Sequence, residues 1–465
     1  MRVFMLGWEF PPFISGGLGT ACQGLTRALN QQGVEVTFVL PKAVDSEYYE
    51  HVKLLSPQAP EAAEGDRSPA SVAAEYAVPA DPGLEGVRFK AVPASFASPY
   101  PGGGAVAGDA PEAGPAPRAT EHDPPHAVSA SEAAPRGSTD PATAGDELVR
   151  AAYRYADLCR DLAAGEAFDL IHAHDWLSFP AGIAVAEATG KPLIVHVHST
   201  EYDRAGEDMD PRIYNVEKTG LHAADRVIAV SHLTRSVLVK RYNLDAHKID
   251  VVHNGLDHPP QPGTGKHTPP DQPRKVRANG EAPEKTVLFL GRMTEQKGPS
   301  YFIDAAKKVL AQHKNAKFLM AGDGDRMQQA VQLASEEGIG DHVLFTGFLH
   351  GSEVERVYRM ADVFVMPSVS EPFGLATLEA MSHEVPVILS RQAGVSEVIH
   401  HALKVDFWNT DELAEKIIAV LDRPALGETM AQEAGREVKK LTWDETARRC
   451  RDVYEQVSPD HVDAS

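Results

Sequence analysis

The stretch Val363-Phe364-Val365-Met366-Pro367-Ser368-Val369-Ser370-Glu371-Pro372-Phe373-Gly374-Leu375-Ala376-Thr377-Leu378-Glu379-Ala380-Met381 reads as a strand, a loop and the opening of a helix. Val363–Met366 is uninterrupted apolar sequence without alternation, which fits a strand covered on both faces, as in a parallel sheet. The loop opens a helix near Gly374. Loop amides at a helix N-terminus, with the dipole behind them, make an anion site suited to phosphate. Glu371 precedes the helix and Glu379 lies more than a turn inside it. The two carboxylates therefore address different parts of one extended ligand: one can match the vicinal hydroxyls of a ribose, the other the hydroxyls of a sugar. An isolated glutamate would be a helix-dipole or solvated residue; Pro372-Phe373-Gly374 between the two argues for the site.

Outward from this stretch, short apolar runs alternate with amphipathic helical patterns. Arg2–Leu6, Glu35–Leu40, Leu170–His172, Leu193–Val197, Arg226–Val230 and Ile249–Val252 read as strands, with helical patterns at Thr20–Gln32, Leu148–Ala164 and Thr234–Tyr242. The alternation restarts at Thr286–Leu290, Lys317–Met320, His342–Thr346, Val363–Met366 and Pro386–Leu389. This predicts an α/β chain of two Rossmann-like domains with a cleft between them. The first spans 1–256 and the second 285–440. Residues 257–284 are polar, rich in Pro, Gly and Lys, and read as a flexible linker. Residues 96–145, dominated by Ala, Pro, Gly, Ser and Asp, interrupt the first domain and are predicted to be disordered. A tolerated insertion is favoured there over an acceptor-binding flap. At 441–465 a last helix, with Thr442 as its cap, is expected to cross back onto the first domain.

The 465 residues carry 45 Lys and Arg against 66 Asp and Glu, a net charge of −21, with 43% hydrophobic residues. So acidic a surface repels nucleic acid and anionic membranes, which excludes dedicated binders of either. Cys22, Cys159 and Cys450 are too few and too scattered for a disulfide framework or a cysteine zinc site. The N-terminus runs straight into a strand pattern without a signal-peptide layout, and no uncharged apolar run approaches a bilayer-spanning length. These features lead us to expect a soluble cytoplasmic protein without stable membrane insertion.

Other stretches carry possible chemistry. Leu290-Gly291-Arg292-Met293-Thr294-Glu295-Gln296-Lys297-Gly298 places two cations on one loop at a strand end, where Arg292 can fork across two oxygens of a diphosphate and Lys297 adds a point charge. Solvated loop charges are the bland alternative. Ile14-Ser15-Gly16-Gly17-Leu18-Gly19 lets backbone approach a ligand; as a dinucleotide fingerprint it fails, because Cys22 stands where Gly or Ala is wanted and Val39-Leu40-Pro41-Lys42 ends without a ribose-binding acid. His172-Ala173-His174-Asp175-Trp176 and His196-Val197-His198 put His-x-His pairs on strand faces. Nothing in the sequence completes a metal site around them, so polar contacts to a sugar or acceptor are preferred. Asp323-Gly324-Asp325 has the look of a D-x-D metal motif, but its setting after a strand suggests a tight turn into a helix.

Taken together, Gly7-Trp8-Glu9-Phe10-Pro11-Pro12 with Ser15-Gly16-Gly17-Leu18, His174-Asp175-Trp176, His198-Ser199-Thr200-Glu201, Asn254-Gly255-Leu256-Asp257, Gly291-Arg292 with Lys297-Gly298, Ala321-Gly322-Asp323-Gly324, and Glu371 with Glu379 resemble the retaining GT-B glycosyltransferases of group 1 (families 4 and 5), particularly bacterial and archaeal glycogen synthases. The resemblance covers most of the chain outside the insert and linker. It implies that Arg292 and Lys297 hold a donor diphosphate, Glu379 the ribose, and backbone at Gly347, Phe348 and Leu349 the base. Phe373, Gly374 and Leu375 would line the donor site, Glu371 and His198 would flank the transferred sugar, and Gly17 would bring backbone near the phosphates. Glu9, His174, Asp175 and Trp176 would face the acceptor. No cofactor or metal is implied beyond the nucleotide-sugar, and a glucan or other glycan would be the partner. At Gln392-Ala393-Gly394-Val395 many relatives have paired glycines, so Ala393 departs from the pattern. Glucose transfer from ADP- or UDP-glucose to an α-1,4-glucan is the favoured task. Mannosyl or other hexosyl transfer to a small or lipid-linked acceptor, a nucleotide-sugar epimerase, and a non-enzymatic nucleotide-sugar-binding scaffold are the alternatives.

Overall fold

A computed structural model of the chain describes residues 1–11, 17–41, 74–76, 87–91, 141–257 and 284–458. Its strands form two sheets. The first contains β1 (Arg2–Leu6), β2 (Glu35–Leu40), β3 (Ala74–Tyr76), β4 (Val87–Ala91), β5 (Leu170–His174), β6 (Leu193–Val197), β7 (Arg226–Ala229) and β8 (Ile249–Val251), in the order β3-β4-β2-β1-β5-β6-β7-β8. The second contains β9 (Lys285–Leu290), β10 (Ala316–Ala321), β11 (Val343–Gly347), β12 (Val363–Met366), β13 (Val387–Ser390) and β14 (Leu403–Val405), in the order β11-β10-β9-β12-β13-β14. All pairings are parallel except β3 with β4. Every residue of β5, β6, β12 and β13 is buried, His172, His174, His196 and Ser390 included, as befits strands with helices on both faces.

Strand order reverses between β1 and β5 in one sheet and between β9 and β12 in the other. Loops leaving a sheet at such a point diverge, and the crevice between them is where open α/β sheets take ligands. The segments that follow these strands are Gly7-Trp8-Glu9, Asp175-Trp176, Gly291-Arg292 and Pro367–Glu371. Buried Tyr155 holds the first of these in place, its hydroxyl lying 3.2 Å from Gly7 O and 2.9 Å from Val39 O.

The last helix, Trp443–Val457, starts at Thr442, whose side chain accepts the Glu445 N–H. It packs into the first sheet's core through Trp443, Cys450 and Tyr454. A Cβ on Gly24 would lie 2.2 Å from Trp443 Nε1, so only glycine admits this indole. Leu256 N–H donates to Leu441 O at 2.9 Å, pinning the end of the first half to the start of the helix.

The structure departs from the sequence reading at several points. The helix Pro141–Ala163 begins inside the 96–145 stretch predicted to be disordered, because helical pairing propagates back from the packed positions after Leu148. Residues 96–140 of that stretch, and 258–283 of the linker, lie outside the described residues. β5 continues two residues beyond His172, which places His174 in the sheet. Strands β3, β4 and β14 went unread, being short or set in low-complexity sequence. Asp323-Gly324-Asp325 forms a turn ahead of the helix Met327–Glu336. The three cysteines are buried free thiols. Among the described residues, no helix is long and apolar enough to cross a membrane.

Candidate active site

The second sheet contributes a buried ion pair. Beyond β9 the chain makes a single turn, Glu295–Lys297, and Gly298 follows at φ 70°. A Cβ there would come within 2.2 Å of Pro367 O, so glycine lets the β9 loop press against the β12 loop. Lys297 Nζ consequently lies 2.5 Å from Glu371 Oε2, and Ser368 Oγ donates to the same oxygen at 3.3 Å. Glu371 is 5% exposed. Removing one partner from so buried an ion pair costs about 3–5 kcal/mol, because it strands the other charge. The Glu371 backbone is clamped as well, donating to Gln392 O at 3.0 Å and accepting from Gly394 N–H at 2.8 Å. Between these, Ala393 is extended at φ −109°, a conformation open to any residue. Alanine in place of glycine therefore brings no backbone strain.

Gly374 opens the helix Leu375–Ser382, with Phe373 buried beside it. Leu375 packs against the cores of both sheets. Glu379, one turn in, accepts the Tyr358 hydroxyl at 2.9 Å. Burial holds Glu379 above the ordinary carboxyl range, with the Tyr358 bond opposing. Gly347 ends β11 and accepts Gly322 N–H at 2.9 Å, and Leu349 packs against the core. Phe348 is 54% exposed, so its ring as well as its backbone is open to a ligand.

The first sheet contributes neutral rings. β5 and β6 pair with His174 opposite His196, and the two-residue repeat of a strand puts His172, His174, His196 and His198 on one face. Ring centroids are 4.3 Å apart for His172–His174, 5.2 Å for His174–His196 and 4.2 Å for His196–His198. His174 Nδ1 and His198 Nε2 share a hydrogen bond of 3.0 Å; His172 Nδ1 and the Tyr454 hydroxyl share one of 2.6 Å. Burial drives all four below the usual histidine range, His172 and His198 to about 3. The column is uncharged at neutral pH, so His198 offers hydrogen bonds rather than positive charge.

Asp175 and Trp176 are each 4% exposed. Asp175, at φ 56°, accepts the His198 and Ser199 N–H groups at 2.7 and 3.4 Å and so fixes the His198 backbone. Trp176 belongs to the first core. Glu9 accepts Gly19 N–H at 3.0 Å. Burial pushes it up to about 7, opposed by that bond and by the nearby Arg292 charge, which reaches it from the other sheet. Gly17 begins the helix Gly17–Gln31, and a Cβ there would meet nothing within 4 Å. Residues 12–16, with Ser15 and Gly16, lie outside the described residues.

Contacts that the sequence reading missed join the halves. Ser370 Oγ donates to Asp203 Oδ1 at 2.7 Å, one residue from Glu371, and Ser231 Oγ donates to Pro372 O at 2.6 Å. Glu397 accepts the His232 and Leu233 N–H groups at 2.9 and 2.7 Å. Asp203 had a visible signal, since Thr200 and Asp203 form a capping box at the start of Glu201–Ala205. Nothing local marked Tyr358, Glu397 or Tyr454.

Comparison with known proteins agrees with this geometry. Residues 271–437 match the family model described as Glycosyl transferases group 1, residues 113–258 that of Glycosyltransferase Family 4, and residues 2–90 that of Starch synthase catalytic domain. An uncharacterized glycosyltransferase of Methanocaldococcus jannaschii is 33% identical over 296 residues, covering 62% of this chain and 75% of its own. A D-inositol 3-phosphate glycosyltransferase of Pseudarthrobacter chlorophenolicus is 30% identical over 310 residues, covering 63% and 72%. The catalytic domain of starch synthase IV from Arabidopsis thaliana, solved with ADP and acarbose, superimposes with a TM-score of 0.67 at 15% identity, covering 98% of this chain and 99% of that one; at that identity the likeness is one of fold. The chain belongs to the group 1 glycosyltransferases: it is a nucleotide-sugar-dependent transferase of the GT-B type.

Proposed function

We propose that this chain is a retaining hexosyltransferase that moves glucose from ADP- or UDP-glucose to an α-1,4-glucan. The observation that carries the reading is the buried Lys297–Glu371 pair at the β9/β12 switch point, with Arg292 on the same loop and the Leu375–Ser382 helix opening just beyond. A donor diphosphate replaces Glu371 as the partner of Lys297, and the freed carboxylate turns to the sugar hydroxyls. Arg292, Lys297 and the amides at the helix start then stabilise the charge that builds on the departing diphosphate. Fixed donors aimed at developing charge are worth about 10²–10³-fold each in turnover. Glu379, held by Tyr358, takes the ribose. From the opposite wall, neutral His198 hydrogen-bonds the sugar without repelling Arg292 or Lys297. Charge stabilisation is thus assigned to protein groups rather than to a catalytic metal, and retention follows the family pattern, with the acceptor attacking from the leaving-group face.

Two comparisons support the finer reading. The fold neighbour solved with ADP supports a nucleoside diphosphate donor, and the starch synthase match over residues 2–90, which includes Glu9, supports a glucan acceptor. A second reading, transfer to a small phosphorylated polyol, is favoured by the D-inositol 3-phosphate glycosyltransferase relatives. One experiment separates the two. The purified protein is incubated with ADP-, UDP- and GDP-sugars, alone, with glycogen, or with inositol 3-phosphate, and nucleoside diphosphate release is measured. Release from one glucose donor, stimulated by glycogen, is the expected result. Stimulation by inositol phosphate alone selects the second reading. Silence across the panel, with intact folding, overturns both.

A further inference from the structure

The histidine column holds more free coordinating nitrogen than sugar recognition uses. His172 Nε2, His174 Nε2 and both ring nitrogens of His196 are buried without a hydrogen-bond partner. All three residues are 0% exposed. Buried polar atoms in native proteins are almost always paired with protein, ordered water or an ion, so a group of orphans on three adjacent rings calls for a ligand. The pattern within each ring is informative. In His172 the Nδ1 is tied to Tyr454 and the Nε2 is not; in His174 the Nδ1 is tied to His198 and the Nε2 is not. A metal-ligating histidine is held in this way, one nitrogen fixed by an outer partner and the other presenting its lone pair. Neutral imidazole is the ligating form.

We propose that His172, His174 and His196 form a binding site for a divalent d-block ion of the zinc type. One nitrogen from each lies within 4.8 Å of the other two. Zinc–nitrogen bonds of about 2.0–2.1 Å draw the three closer, which the side chains achieve by rotating out of their near-parallel stack. Three imidazoles without a carboxylate or thiolate suit Zn²⁺, Co²⁺, Ni²⁺ or Cu²⁺ and disfavour Mg²⁺, Ca²⁺ and Mn²⁺. The sequence alone offered only His-x-His pairs and no third ligand, and the expectation from it was no metal. Sheet pairing supplies the third ligand by setting His196 against His174. The ion has a consequence for the neighbouring ring. With its Nε2 on the metal, His174 carries its proton on Nδ1 and donates to His198 Nε2, leaving the His198 proton on Nδ1. The ion thus sets the tautomer of the histidine assigned to the sugar, as a positioning device outside the reaction. Binding of the ion does not depend on the donor or acceptor named above, so the two proposals fail separately.

The test uses the full chain, stripped with a chelator, desalted and titrated with Co²⁺. One tightly held equivalent is expected, with the visible ligand-field bands of a low-coordinate nitrogen site, displaced by Zn²⁺ and insensitive to excess Mg²⁺. His196→Gln and His172→Gln, each checked for native circular dichroism, should lose the bands. Tyr454→Phe should keep the site and weaken it about 10–100-fold, the usual effect of losing an outer-shell partner. The chain has 20 histidines, so binding elsewhere is the competing outcome. Unchanged binding in both glutamine variants assigns the metal to those other residues and overturns the proposal. So does a folded wild-type protein that takes up no stoichiometric Co²⁺, which would leave the orphan nitrogens to buried water. If a glutamine variant fails to fold, the wild-type titration and Tyr454→Phe still decide.

Discussion

At the β9/β12 switch point the polar groups are charges kept in register by their own attraction, Lys297 and Glu371 at 2.5 Å. At the β1/β5 switch point they are neutral rings, His172 and His174 stacked at 4.3 Å, whose charged forms burial has suppressed. Both are buried polar arrangements, and each answers a different requirement. On the proposed function the first wall receives a diphosphate, which calls for a cation already desolvated and aimed, and Glu371 holds Lys297 in place until the ligand arrives. On the same proposal the opposite wall faces that ligand without needing added charge, and neutral imidazoles would supply hydrogen bonds there. The walls meet at Asp203–Ser370 and through the influence of Arg292 on Glu9.

Substitutions can break this contrast. Lys297→Ala should have the largest effect, lowering turnover by about 10²–10³-fold. It should also destabilise the fold, because Glu371 is left buried without its cation. Lys297→Ala with Glu371→Gln should recover the melting temperature and leave turnover low. A double variant with restored activity would remove Lys297 from the chemistry.

Next in size is a pH effect at Glu9, whose carboxyl is raised to about 7 in the folded protein. A raised acid favours its neutral form in the fold, so the stability it contributes at low pH is lost as pH rises toward and through 7. Glu9→Gln has no such loss. Its stability relative to wild type should therefore improve by about 2–3 kcal/mol between pH 5 and pH 8, measured by denaturant unfolding. A difference that stays flat over that range would show that Glu9 is ionised throughout.

Smaller still, Tyr358→Phe removes the hydroxyl bound to Glu379. One hydrogen bond to a charged group predicts a rise of about tenfold in donor KM, with kcat nearly unchanged and nucleoside diphosphate inhibition weakened in parallel. A fall in kcat instead would place Tyr358 in the transition state. The mildest substitution is Ser370→Ala, which deletes a contact between the walls while sparing the Thr200–Asp203 cap. A hydrogen bond to a carboxylate is worth about 1.5–3 kcal/mol, but this one is already made in the free protein, so only part of it reaches kcat/KM, which should drop a few-fold. No change would show that this contact contributes little to closure.

How much was legible depends on how local the signal was. Val363–Met366 and Leu193–Val197 were read to the residue, because a run of mostly β-branched and apolar residues flanked by Pro is specified by its own side chains. Glu371, Arg292 and Lys297 stood out as polar residues in loops at strand ends, and Glu379 by its spacing from Glu371 one turn into the following helix. Val87–Ala91 was missed although it alternates apolar and charged residues, since the sequence around it lacks any framing pattern. Asp175 and Trp176 were singled out at a strand end, but the sequence did not show that Asp175 holds the His198 backbone or that Trp176 packs in the first core, because a strand end shows which residues leave the sheet and not what they touch.

The sequence by itself determined the strand–helix alternation, the two halves, and the cations and carboxylates at their strand ends, since each is written within a few turns of chain. The tertiary structure decided which of them meet. Tyr454 reaches His172 across 282 positions, Lys297 finds Glu371 across 74, and His196 becomes the neighbour of His174 through strand register. Each of these contacts follows from pairing and packing between distant segments, which lie beyond the range of any local pattern along the chain.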